Sequence, residues 1–87
     1  MRFQVLWQAV AEQELAAIWL AAPDRAAVTA AAAYLDNRLA DDPMNLGESR
    51  ASPLRRVAFR TPFGVEFDVV PDDMRVFVRG VFPLPLK

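Results

Sequence analysis

Hydrophobic and polar positions along this chain switch period twice. In residues 2–8, Phe3, Val5 and Trp7 alternate with Arg2, Gln4 and Gln8, the period of two expected of a half-buried strand. Leu6 interrupts the alternation. From about Ala11 the spacing lengthens: Leu15, Ile18, Trp19 and Ala22 fall on one helical face, and Glu12 and Glu14 sit near the helix start, where acids suit the macrodipole. Pro23 ends this helix. Asp24 then offers an N-cap oxygen, and Val28, Ala31 or Ala32, Leu35 and Leu39 recur at helical spacing to about Asp41. The two helices are expected to pair as a hairpin.

The helical pattern stops at Asp42-Pro43, because proline cannot continue a helix and biases the residue before it away from the helical region. A loop through Gly47-Glu48-Ser49-Arg50 follows, and the period returns to two. Val57 and Phe59 alternate with Arg56 and Arg60; Val65, Phe67 and Val69 with Glu66 and Asp68; Val76, Val78 and Gly80 with Arg75, Phe77 and Arg79. Turns are predicted at Thr61-Pro62-Phe63-Gly64 and Pro71-Asp72-Asp73. The three runs should therefore form an antiparallel meander. Phe82-Pro83-Leu84-Pro85 cannot be a regular central strand, since prolines lack ladder donors, and is expected at an edge or in a tail. The predicted fold class is α+β in the order β-α-α-β-β-β, with the hairpin on one face of a mainly antiparallel sheet.

At 87 residues the chain has room for one two-layer domain, taken here as residues 1–87, and for no second substrate domain. Apolar residues make up 54% and charged residues 24%, a globular composition. Cysteine is absent, which excludes disulfides, thiolate nucleophiles and cysteine zinc sites. Histidine is absent and the only lysine is Lys87, so the usual neutral-pH base and Schiff-base residue are missing. Without a secretory pattern or an apolar run long enough to span a bilayer, a cytoplasmic protein is expected, with no membrane partner. Charge is uneven: residues 1–45 carry three arginines against six acids, a balance of −3, and residues 46–87 seven basic groups against five acids, a balance of +2. That bias permits an anionic partner without requiring one.

One strand, two helices, the loop from Leu39 through Arg50 and a meander, in so short a chain, resemble the RelE/ParE superfamily of type II toxin-antitoxin toxins. The resemblance covers nearly the whole chain. It implies a toxin-like protein held by a cognate antitoxin, with DNA gyrase as the target of the ParE type and ribosome-bound message as that of the RelE type. Ribonucleases of the RelE type carry basic residues on the first meander strand, where this chain has Arg56 and Arg60. They add an arginine just after the aromatic that opens the next strand, a further arginine near the end of the last strand, and commonly a C-terminal tyrosine or histidine. Here the aromatic Phe63 is followed by Gly64, and the end reads Phe82-Pro83-Leu84. The charge stabilisation and proton acceptor that phosphoryl chemistry needs are incomplete. The resemblance thus favours a ParE-like toxin acting by binding, with a ribonuclease and a non-toxic interaction module as alternatives.

No residue is assigned to catalysis, a cofactor or a metal; the acid pairs at 41/42 and 72/73 mark a helix end and a turn. Arg50, Arg56, Arg60, Arg75 and Arg79 are the candidate contacts to a target or RNA. Strand parity puts Arg56, Arg60, Arg75 and Arg79 on one sheet face with Glu66 and Asp68, where cross-strand ion pairing competes with ligand binding. Gly47 is expected to adopt a positive φ, with Glu48 and Arg50 tying the loop to the sheet or to Asp41 and Asp42. Tyr34 reads as a partly buried aromatic with a wet hydroxyl. The alanines of the second helix leave a slim surface, and Trp19, Ala22, Ala30 and Ala33 are the candidate partner surface, for an antitoxin segment or a homodimer.

Overall fold

The computed structural model describes residues 2–85. Strand β1 (Gln4–Trp7) leads into helix α1 (Ala9–Ala21) and, after a three-residue connection, helix α2 (Arg25–Asp41). A 3-10 turn at Pro43–Asn45 leads to β2 (Glu48–Arg50), β3 (Ser52–Arg60), β4 (Phe63–Val70) and β5 (Arg75–Pro83). The strands form one sheet in the order β1-β5-β4-β3-β2, in which β1 runs parallel to β5 and every other pair is antiparallel. Both helices pack on one face, so the predicted α+β class and layer order hold.

The helix ends follow their sequence signals. Asp24 caps α2 by accepting from the Ala27 backbone N–H at 3.1 Å, and the chain leaves α2 at Asp42 ahead of Pro43. Val28, Ala31, Leu35 and Leu39 are buried along one side of α2, as their spacing predicts. They meet Phe63, Val65, Phe67 and Val69 of β4 and Val76, Val78 and Val81 of β5. Alternation in the central strands thus becomes a sheet with one dry face.

Two features differ from the sequence reading. The segment read as a loop at Glu48–Arg50 is a short edge strand pairing with β3. Gly47, at φ +69, carries the chain into it, in the positive-φ geometry expected; a Cβ there would lie 1.9 Å from the Val57 carbonyl oxygen. As expected of an edge, β5 continues through Phe82 and Pro83, paired with Gly64 and Phe63. Proline fits there because β1 pairs with β5 only from Arg75 to Val78, so the later part of β5 is itself an edge.

The second difference is the facing of β3. Pairing places Arg56 opposite Phe67, Ala58 opposite Val65 and Arg60 opposite Phe63, so these three residues lie on the helix side. Arg55, Val57 and Phe59 take the open side. The expectation that Arg56 and Arg60 share a face with Glu66 and Asp68 is therefore overturned. The side of β3 is set by its register with β4, whose apolar face is unambiguous, and a shift of one residue reverses every side chain. Ala58, small and 1% exposed, is the β3 residue that joins the core.

Candidate functional site

Two surfaces collect chemistry. On the open face of the sheet, register brings Arg55 opposite Asp68, and Arg55 grips that carboxylate through Nε and Nη2 at 3.0 and 3.4 Å. Arg79 Nη1 approaches Oδ2, the oxygen that Arg55 Nη2 also reaches, at 3.2 Å. Two guanidinium groups thus share one carboxylate, and the hydrogen bond and charge of Asp68 raise the Arg55 pKa above its ordinary value. Both arginines keep roughly half their side-chain surface in water. The cluster is cationic, with Glu66 on the same face. Beside it, Phe59 and Phe82 meet edge to face at 6.0 Å above Gly64, where a Cβ would lie 2.7 Å from the Phe82 ring.

The candidate arginines separate accordingly. Arg79 belongs to the cluster, and Arg75 is exposed on the same face, opposite Val70. Arg56 is absorbed structurally: its Nε and Nη2 donate to the carbonyls of Leu46 and Gly47, holding the strap before β2. Arg60 lies over the Tyr34 ring, 3.9 Å from its centroid. Arg50 is exposed on the edge strand β2 and makes no contact with Asp68. Glu48 and Arg50 make no ion pair among the described residues; Asp41 pairs with Arg2 and Asp42 accepts from Asn45. Arg55 escaped the sequence reading. A two-residue connection pairing Arg60 with Phe63 implies Arg55 opposite Asp68, so counting back from the turn would have found it.

The second surface is a cleft of about 600 Å³ between α1 and α2, with Trp7 of β1 also in its lining. Trp19, Leu15 and Ala16 line one wall and Val28, Ala32 and Ala33 the other. Each indole ties its element to α2: Trp7 Nε1 donates to Asp36 at 2.9 Å and Trp19 Nε1 to the Thr29 hydroxyl at 3.2 Å. Arg25 stacks on Trp19 at 4.6 Å and donates to the carbonyls of Trp19 and Leu20 at the end of α1, the first of which also accepts from the Ala22 backbone N–H. Of the candidate partner residues, Trp19 and Ala33 line this cleft, Ala22 lines a smaller hollow beside Pro62 and Leu84, and Ala30 is exposed outside both. Trp7, Glu12 and Asp36 were missed as members because they come from three elements.

The architecture is similar to that of a chain in the toxin-antitoxin complex RelBE2 from Mycobacterium tuberculosis, at 16% identity and a TM-score of 0.77 over 97% of this chain and 93% of that one. It is also similar to a chain of the chromosomal ParDE TA system from P. aeruginosa, at 20% identity and a TM-score of 0.71 over 95% and 97%. The fold is RelE/ParE-like. No family model and no curated protein matches the sequence. Within the RelE/ParE-like fold, the cleft lies in the helical layer and the arginine cluster on the opposite side of the sheet.

Proposed function

We propose that this protein is the toxin-like component of a type II toxin-antitoxin pair, acting by binding a cytoplasmic target and neutralised by an antitoxin. The observation carrying this reading is the likeness of fold, over nearly the full length of both chains, to chains of two toxin-antitoxin assemblies. Binding rather than catalysis is supported by what has become of the positions that the RelE resemblance marks. Arg56 is bound to backbone carbonyls, and Arg60 is stacked on Tyr34. Gly64 lies under Phe82, whose ring would have to turn aside for any side chain there, and Leu84 follows Pro83 with its backbone N–H on the Pro62 carbonyl. The ParE-type target, DNA gyrase, fits this reading better than the ribosome does.

The test is inducible expression of the chain alone and together with the product of the neighbouring gene, scored by growth. Growth arrest on expression alone, relieved by the neighbour, is the expected result. Growth unaffected by expression would reject the toxin reading. Arrest accompanied by codon-specific cleavage of ribosome-bound message, lost in Arg79→Ala, would replace it with the ribonuclease.

A further inference from the structure

Strand β2 closes one edge of the sheet, and no strand lies on its outer side. Sheet edges are ordinarily guarded by charge of one sign, by proline, by a bulge that twists the strand away or by a covering element. None of these guards is present on β2. Its sequence, Glu48-Ser49-Arg50, has no proline, and its two charges cancel. The register shift between Ser49 and Arg50 moves the partner from Arg56 to Ser52, so the extra residues belong to β3 and β2 itself runs on without a bulge. Helix α1 packs on β5, and α2 against β1 and β3, while all three residues of β2 are exposed. The edge is also held in place: Arg56 fixes the carbonyls of Leu46 and Gly47 immediately before it. Neither Glu48 nor Arg50 forms an ion pair among the described residues.

We propose that β2 pairs antiparallel with β2 of a second copy of this chain, about a two-fold axis through Ser49, joining the two sheets into one. In an isologous contact residue i meets j and j meets i, so Glu48 of each copy stands opposite Arg50 of the other. Both cross-strand pairs are then of opposite charge. That complementarity selects a second copy as the occupant, because it presents the same two charges in reverse order at the same spacing, whereas an arbitrary strand would satisfy the backbone alone. The geometry also fixes which faces come together. Glu48 pairs with Val57 on the open side of the sheet and Ser49 with Arg56 on the helix side, and by strand parity Arg50 falls with Glu48. Cross-strand partners share a face. The two Arg55–Asp68–Arg79 clusters therefore lie on one side of the joined sheet and both helical layers on the other. This pairing does not depend on the toxin reading.

The test is charge reversal, read by sedimentation equilibrium of the full chain. Three residues a side make a small contact, so a weak dimer is expected, with Kd about 0.1 mM at low salt and weaker at high salt. Glu48→Arg sets arginine against arginine at both pairs, and Arg50→Glu sets glutamate against glutamate. Each variant alone should dimerise at least about tenfold more weakly than the unaltered chain. Mixed together, the two variants are complementary at both pairs, and a heterodimer of near wild-type affinity should form. The double variant Glu48→Arg, Arg50→Glu should likewise dimerise with itself. Both residues are exposed, so thermal melts are expected to stay unchanged, which establishes that the variants are folded. A chain that stays monomeric to about 1 mM would overturn the proposal, as would a dimer indifferent to either single reversal. So would weakening in both single variants without recovery in their mixture, since the two residues would then not face each other. The growth assay is independent: a dimer without toxicity would retain the pairing and reject the toxin, and toxicity from a monomer the reverse.

Discussion

Close approach, not glycine content, is what matters at the residue scale. A Cβ on Gly47 would meet a backbone carbonyl at 1.9 Å in a positive-φ conformation, while one on Gly64 would meet the rings of Phe82 and Phe59 at 2.7 and 2.9 Å. Rings can turn aside, but a carbonyl paired in a sheet cannot. Gly64→Ala is therefore expected to cost about 1 kcal/mol and Gly47→Ala about 3 kcal/mol of unfolding free energy. Denaturant midpoints check the order; equal losses would mean that the strap at Gly47 yields more easily than its contacts imply. The Asp68 cluster illustrates the same scale of effect. Because the Arg55 pKa is raised, whatever stability the shift contributes is fully present below arginine's ordinary pKa and is lost only in strong alkali, so this contact gives no pH dependence in the working range.

At the element scale, the edge of β5 is managed by a side chain from α1. Beyond Val78 there is no β1 partner, and Glu14 accepts from the Val81 backbone N–H at 3.0 Å, in place of a strand carbonyl. Glu14→Ala leaves that donor without its protein acceptor, and a loss of about 1 kcal/mol is expected. Hydrogen exchange should accelerate at Val81 and stay slow at Val76 and Val78, which lie where β1 still flanks β5; Glu14→Gln, which keeps an acceptor oxygen, should restore most of the protection. An unchanged Val81 rate in Glu14→Ala would show that the carboxylate does not close this edge. Helix α1 thus does two jobs: one side packs on β5 and another lines the cleft.

For the whole molecule, the unusual fact is how much apolar surface the helical layer leaves in water, with Val10, Leu20 and Trp19 exposed around α1. The paired variant Val10→Glu, Leu20→Lys suits the helix dipole at each end. It is expected to leave stability within about 0.5 kcal/mol per substitution and to reduce the binding of a fluorescent apolar dye. Unaltered dye binding would place the accessible apolar surface elsewhere. The sequence by itself determined the order of elements, the helix cap at Asp24, the positive φ at Gly47 and the buried faces of α2, β4 and, as far as Val78, β5, because each is written in local spacing or local backbone chemistry; beyond Val78 a register shift brings Val81, not Gly80, into the core. It did not determine the side of β3, since Val57 and Phe59 read as inward until pairing with β4 sets the register. Nor did it determine the parallel docking of β1 on β5, which involves residues some 70 positions apart. The same limit applied to the surfaces. Arg55 and Asp68 meet only across strands, and Trp7, Glu12 and Asp36 only where β1, α1 and α2 converge. Periodicity reports which residues share a face of one element, and only the packing of elements decides which faces meet.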